Sequence, residues 1–308
     1  MPSHLRGYLA VTSAAVLWGI AGTLAKYLFA SKSVPPFLLV QLRMGIAFLV
    51  MALVMAVIAP RLLRIRREDL GPLTLFGIAG MAAVQFTYLF AISETNVATA
   101  IFLQYLAPIM TALYSWLFEG LRLDGKLLGA LGLAISGSYL LVFGTTGQLL
   151  VSPLGLAAGV SSAAALSFYS IYGAKRVGSL SPWTLLCYAL GIGSLFWLVV
   201  DFAFWAVGRP VISLAPLADP SLWLFFGYIA TLATIVPFGL YLSGLRWISP
   251  THATVTGMLE PVTGGVAAYL FLGELLQGVQ VLGGGLIVVA VILLQVTRQK
   301  AAATGVGA

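Results

Sequence analysis

Apolar runs of about 20 residues recur ten times along this chain, each long enough to cross the hydrocarbon core of a bilayer as a helix. They fall at roughly Gly7–Phe29, Phe37–Ile58, Pro72–Ile92, Val97–Phe118, Gly125–Phe143, Pro153–Gly173, Trp183–Ala206, Leu222–Gly244, Thr251–Leu272 and Val279–Val296. Gly and Pro punctuate the gaps, at Pro35-Pro36, Pro60, Gly144 to Pro153, Gly208 to Pro220 and Gly273 to Gly278. No gap holds a soluble domain. Only 8% of the 308 residues are charged and 60% are hydrophobic, which leaves too few charges to cover a water-facing surface of this size. The pattern excludes a soluble enzyme, a nucleic-acid-binding domain and a disordered chain. It specifies an all-α polytopic membrane protein whose partners are the lipid bilayer and a small solute. The first run, Tyr8 to Phe29, carries Trp18 and Lys26 and reads as a retained helix, not a cleaved leader.

The net charge of +7 is distributed unevenly. With both ends inside, the inner segments carry Arg6, Arg61, Arg64, Arg66, Arg67, Arg122, Lys126, Lys175, Arg176, Arg246, Arg298 and Lys300. The outer ones carry Lys26, Lys32 and Arg209, and Arg43 lies within a helix. Twelve against three is a strong positive-inside bias. Both termini are therefore expected in the cytoplasm, in a bacterial-type inner membrane.

The chain also repeats itself. Ser13-Ala14-Ala15-Val16-Leu17 matches Ser162-Ala163-Ala164-Ala165-Leu166, and Ala25-Lys26 matches Ala174-Lys175 at the same spacing. Ala100, Leu106, Pro108, Leu117 and Phe118 match Ala253, Leu259, Pro261, Leu270 and Phe271 at one constant offset. These ties join the first helix to the sixth and the fourth to the ninth, which implies a duplicated five-helix unit, residues 1–148 and 149–308. Five crossings is an odd number, so the halves run in opposite directions. Inverted repeats place a solute site near the midplane between them and suit alternating access.

Ala14-Ala15-Val16-Leu17-Trp18-Gly19 with Lys26, Pro108, Glu260-Pro261, and the paired runs Leu117-Phe118-Glu119-Gly120 and Leu270-Phe271-Leu272-Gly273-Glu274 resemble the drug/metabolite transporter superfamily. More narrowly they resemble its ten-helix EamA-type exporters, the YddG-type exporters of aromatic amino acids among them. The resemblance covers nearly the whole chain. It implies a bundle around a central cavity lined by helices one, three, four, six, eight and nine, and leaves the cargo open.

Glu260 is the acid nearest mid-membrane. A carboxylate there is costly unless neutral or paired. It can take a proton or a substrate ammonium, or it can serve as structural partner to Lys26, Arg43 or a backbone amide. Trp18, Gln85, Tyr88, Gln104, Tyr105 and Tyr169 place rings and amides at membrane depth, which suits an amphipathic solute with a flat apolar part; the bland alternative is helix packing. Pro108, Pro237 and Pro261 lie inside helices as hinges or fixed kinks. Arg43 is expected to snorkel to the outer surface, with solute contact as the alternative, and His252 to sit solvated at the outer interface, with titration near neutral pH as the alternative. The Gly155/Gly159 and Gly125/Gly129 pairs have close-packing spacing.

Several chemistries fail. Gly120 to Lys126 has phosphate-loop spacing but Leu127 replaces the required hydroxyl residue. His4 and His252 cannot make a zinc site, and the single Cys187 makes neither a disulfide nor a metal site. The aspartates Asp69, Asp124, Asp201 and Asp219 lie in loops or at helix ends, so no catalytic triad assembles. No catalytic residue, metal, cofactor or nucleic-acid partner is expected, and the oligomeric state is open, a monomer included. The reading is an exporter of small organic solutes, foremost amino acids with aromatic or large neutral side chains. A sugar-phosphate or nucleotide-sugar carrier needs a deep cationic cluster that is missing. A membrane-embedded lipid-modifying enzyme and a non-transporting receptor are the rivals from other classes.

Overall fold

In hydrocarbon every backbone N–H and C=O must be satisfied within its own segment, so apolar runs of this length become helices. The computed structural model describes residues 2–32, 34–95, 97–120, 123–143, 152–208, 212–272 and 277–303, and no strand occurs among them. The helices are α1 (Ser3–Lys32), α2 (Pro36–Ile58), α3 (Arg67–Glu94), α4 (Val97–Gln104 and Ala107–Glu119), α5 (Gly125–Phe143), α6 (Pro153–Arg176), α7 (Pro182–Ala206), α8 (Pro220–Gly244), α9 (Pro250–Gly257 and Glu260–Leu272) and α10 (Gly278–Ala303). Eight of these segments are long and apolar enough among the described residues to cross a membrane, and α1 and α9 supply the other two passages. Glu274, the side chain of Lys26 and the loop over 144–151 lie outside the described residues.

Local chemistry sets the helix starts. Four of them follow a Ser-Pro or Asp-Pro pair: Ser152-Pro153, Ser181-Pro182, Asp219-Pro220 and Ser249-Pro250. Proline fits the first helical position, where its missing N–H costs nothing. The Ser152, Asp219 and Ser249 side chains accept from backbone N–H groups of the first turn. Gly120, at φ +69°, ends α4 in a left-handed turn that a side chain would resist.

The two halves are the same unit. α3 and α8, α4 and α9, and α5 and α10 begin at positions separated by a constant 153 residues. The same offset carries the break in α4, between Gln104 and Ala107, onto the break in α9, between Gly257 and Glu260. Pro108 and Pro261 sit just beyond each break. Each lacks an N–H, so the turn before it loses a hydrogen bond. A π-helical turn over Phe76–Ala82 in α3 overlaps one over Thr231–Ile235 in α8 at that offset.

Packing follows the repeat. α1 lies against α8 and α9, and α6 lies in the equivalent place against α3 and α4. α5 and α10 pair closely because Gly137 and Gly283 face each other: a Cβ on Gly137 would sit 2.6 Å from the Gly283 carbonyl oxygen. Of the two glycine pairs singled out by spacing, Gly155 and Gly159 do lie under neighbouring side chains, including Leu103, whereas Gly125 and Gly129 face open space. Spacing fixes the helix face a glycine occupies, not whether a neighbour covers that face.

Candidate functional site

α2 is apolar around its whole circumference, and one cation is set into it. Arg43 does not snorkel outward. It turns inward, where its Nε donates to Thr234 Oγ1 at 3.0 Å, one Nη to Gln85 Oε1 at 3.1 Å and the other to the Ala233 carbonyl at 3.2 Å. Pro237 explains the third bond. The residue four positions after Ala233 would normally donate to its carbonyl, and proline cannot. The π-turn and Pro237 thus leave an acceptor in α8 that a charged donor from α2 satisfies. Thr234 completes the arrangement by donating to Ile229 O at 2.7 Å.

Glu260 opens the second piece of α9. It is half-buried and lies within electrostatic reach of Arg43, Tyr88 and Tyr105. The Tyr105 hydroxyl approaches the carboxyl but is buried without a hydrogen bond of ordinary geometry. Among the described residues no cation stands within ion-pair distance of Glu260. α1 comes right up to this point through Gly19, whose added Cβ would stand 2.5 Å from the Glu260 carbonyl and 2.7 Å from Gly264 N. Thr263 Oγ1 bridges the same seam, donating to Glu260 O at 2.8 Å and to Ala15 O at 3.3 Å.

Toward the end that carries the basic loops, an aromatic layer closes the space. Trp18 meets Phe238 edge-on at 4.9 Å and leans on Tyr241 at 5.6 Å. Tyr169 stacks on Phe76 at 4.7 Å and meets Phe238 edge-on at 5.8 Å. Tyr241 and Ser170 share a hydrogen bond of 2.7 Å, while Trp18 Nε1 and the Tyr169 hydroxyl are buried without partners among the described residues. Below this layer the first piece of α9 packs on the second piece of α4, with Val255, Met258 and Ala112 in one apolar cluster. Their repeat mates, the first piece of α4 and the second piece of α9, scarcely touch among the described residues. These two pieces thus meet across the halves at the basic end. A Lys175–Glu119 ion pair at 3.1 Å and a Lys175–Tyr114 hydrogen bond at 2.9 Å tie α6 to α4 there.

Two inverted five-helix halves with a mixed-charge centre match a known pattern. The sequence matches the EamA-like transporter family twice, over residues 5–143 and over residues 153–296. The chain belongs to the EamA-like transporter family. It is a multi-pass membrane transporter of the drug/metabolite transporter superfamily. This EamA-like transporter is 28% identical over 305 residues to the "Uncharacterized inner membrane transporter YicL" of Salmonella typhimurium, spanning 98% of this chain and 99% of the relative. It is 27% identical over 296 residues to the "Threonine/homoserine exporter RhtA" of Escherichia coli, spanning 94% and 91%. A solved crystal structure shares the fold at TM-score 0.76 and 21% identity, over 96% of each chain.

Within this EamA-like transporter the residues singled out from sequence divide into two groups. Gln85, Tyr88, Tyr105 and Glu260 come together around Arg43, and Trp18 and Tyr169 meet in the aromatic layer. Gln104 stands apart, its amide donating to Ser162 Oγ at 2.8 Å and tying α4 to α6. Pro108 and Pro261 sit at the two helix breaks and Pro237 beneath Arg43. His252 is not at the end opposite the basic loops. It lies in the first turn of α9, at the end shared with Arg246 and Arg176, because the ninth crossing starts where the eighth stops. Arg43 was assigned to the outer surface with solute contact as the alternative, while Thr234, Phe238 and Tyr241, which the structure places beside these residues, were not singled out. Tyr241 had a signal, being the mate of Tyr88 at the 153-residue offset.

Proposed function

We propose that this transporter exports amino acids, with aromatic or large neutral side chains preferred, across the bacterial inner membrane by alternating access. The observation that carries the reading is a guanidinium and a carboxylate within electrostatic reach of each other between the two halves, with an aromatic floor on the basic-end side of them. A flat apolar side chain can lie against Trp18, Phe238 and Tyr241 while its polar end meets the charged groups above. RhtA, named as an exporter of threonine and homoserine, supports amino acids as the class and puts small hydroxylated ones on the test panel. A sugar phosphate fits poorly. Arg43 is a single guanidinium with three of its N–H groups held by the protein, and the Glu260 carboxylate within its electrostatic reach repels a doubly charged ester.

The contact asymmetry supports the mechanism. Closure at the basic end uses the first piece of α9 on the second piece of α4. Exchanging the roles of residues 1–148 and 149–308 replaces it by the first piece of α4 on the second piece of α9, which opens the basic end and closes the other. Pro108 and Pro261 are the hinges in this scheme, with Pro237 a third in α8, and both termini are cytoplasmic. Counterflow into proteoliposomes tests the substrate class, with phenylalanine, tryptophan, leucine, threonine and a triose phosphate as cargo. Faster accumulation of the large neutral amino acids is expected; fast sugar-phosphate exchange without amino-acid flux would sink the reading.

A further inference from the structure

We propose that Arg43 is the carboxylate subsite and Glu260 the ammonium subsite for the solute, so that the transporter selects molecules carrying both charges on one end. This rests on the amino-acid reading and goes beyond it by assigning each charge to a residue.

Arg43 is held ready for this role. A guanidinium has five N–H donors, and three of them are fixed on Thr234, Gln85 and the Ala233 carbonyl. One N–H remains on each terminal nitrogen, and such charged N–H groups make strong hydrogen bonds to a carboxylate. The three fixed bonds come from α3 and from the π-turn of α8, so the planar group is oriented before any solute arrives. The residue as a whole is half-buried.

Glu260 is the complement. It is half-buried, it lies within electrostatic reach of Arg43 without forming an ion pair among the described residues, and the Tyr105 hydroxyl beside it has a hydrogen bond still to make. A solute that carries one charge of each sign and reaches both groups pairs both. A solute with only one charge displaces water from both and leaves one of them stranded in a poorly hydrated place, which is costly. Gln85, which accepts from Arg43 at 3.1 Å, and Tyr88 lie on one face of α3.

The test uses three ligands with the same ring and different charges: L-phenylalanine, phenethylamine and 3-phenylpropionate. Apparent affinities come from ligand-dependent thermal stabilisation of the purified protein in detergent. Wild-type protein is expected to bind phenylalanine at least about tenfold more tightly than either analogue, the worth of one charged hydrogen-bonded contact. Glu260→Gln leaves Arg43 as the sole charge and should shift the preference to 3-phenylpropionate. Arg43→Gln leaves Glu260 and should shift it to phenethylamine. If Arg43→Gln fails to fold because the Ala233 carbonyl is stranded, the Glu260→Gln preference decides alone. Equal affinities for the three ligands in wild-type protein overturn the assignment, as does a parallel loss of all three in folded variants. Phenylalanine counterflow separates the two levels: flux without charge selectivity refutes this assignment only, and no amino-acid flux refutes the amino-acid reading itself.

Discussion

Gly19→Ala is a one-atom change at the seam beneath Glu260, and its cost can be worked from the geometry. The added Cβ would sit 2.5 Å from the Glu260 carbonyl oxygen and 2.7 Å from Gly264 N, with Thr263 Oγ1 closer still. Two of these neighbours are backbone, so neither can swing aside as a side chain does. α1 and α9 must separate by about 1 Å to restore van der Waals contact, and overpacking of this kind costs about 1–3 kcal/mol. The separation also stretches the Thr263 bridge to Ala15, at 3.3 Å a long bond to begin with. Gly129→Ala is the control, because no atom of the described residues stands within 4 Å of its Cβ. Alanine there gains about 0.5–1 kcal/mol of helix propensity. The assay is the apparent unfolding midpoint in detergent together with phenylalanine counterflow. Gly19→Ala should lower both, and Gly129→Ala should hold or raise the midpoint with flux unchanged. A Gly19→Ala protein as stable and active as wild type would refute the claim that α1 touches α9 backbone to backbone.

Other consequences are quicker to check. Thr234→Val keeps the shape of the side chain but removes the oxygen that Arg43 Nε donates to, and should cost about 1–3 kcal/mol in unfolding free energy; an unchanged midpoint would place Arg43 elsewhere. Glu119→Gln breaks the Lys175 ion pair, which is partly exposed, so stability should fall by no more than about 1 kcal/mol, and a larger loss measured by thermal unfolding would make that pair a structural latch. A topology reporter fused after Ala308 should read cytoplasmic and one inserted between Gly147 and Gln148 should read external; the reverse pattern would overturn the orientation drawn from the charge bias.

Much of the architecture was legible because each passage announces itself. Length and hydropathy mark the ten runs, Ser-Pro and Asp-Pro pairs mark four starts, and Pro108 and Pro261 mark two breaks through a missing N–H. Depth along a helix was legible too, which is why Trp18, Gln85, Tyr88 and Tyr105 were singled out. Azimuth was not. A helix such as α2 that is apolar on all sides gives no sign of which side faces the bundle, so Arg43 at a given depth reads equally as outward or inward. The missing clue was on another helix: Pro237 orphans the Ala233 carbonyl, and a buried acceptor demands a donor. Gln104 shows the converse, since an amide at the right depth was used up by Ser162 across the α4–α6 contact.

The central claim is that a solute site between inverted halves opens to one side at a time. Trans-acceleration tests it most directly. Proteoliposomes are loaded with labelled L-phenylalanine, and efflux is followed into buffer with and without unlabelled phenylalanine outside. A carrier that alternates between two closed-end states returns faster when loaded, or returns only when loaded, so outside phenylalanine should speed the loss of label. Efflux that is indifferent to outside phenylalanine, rising linearly with the internal concentration and without saturation, would mean a pore open to both sides and would contradict the account.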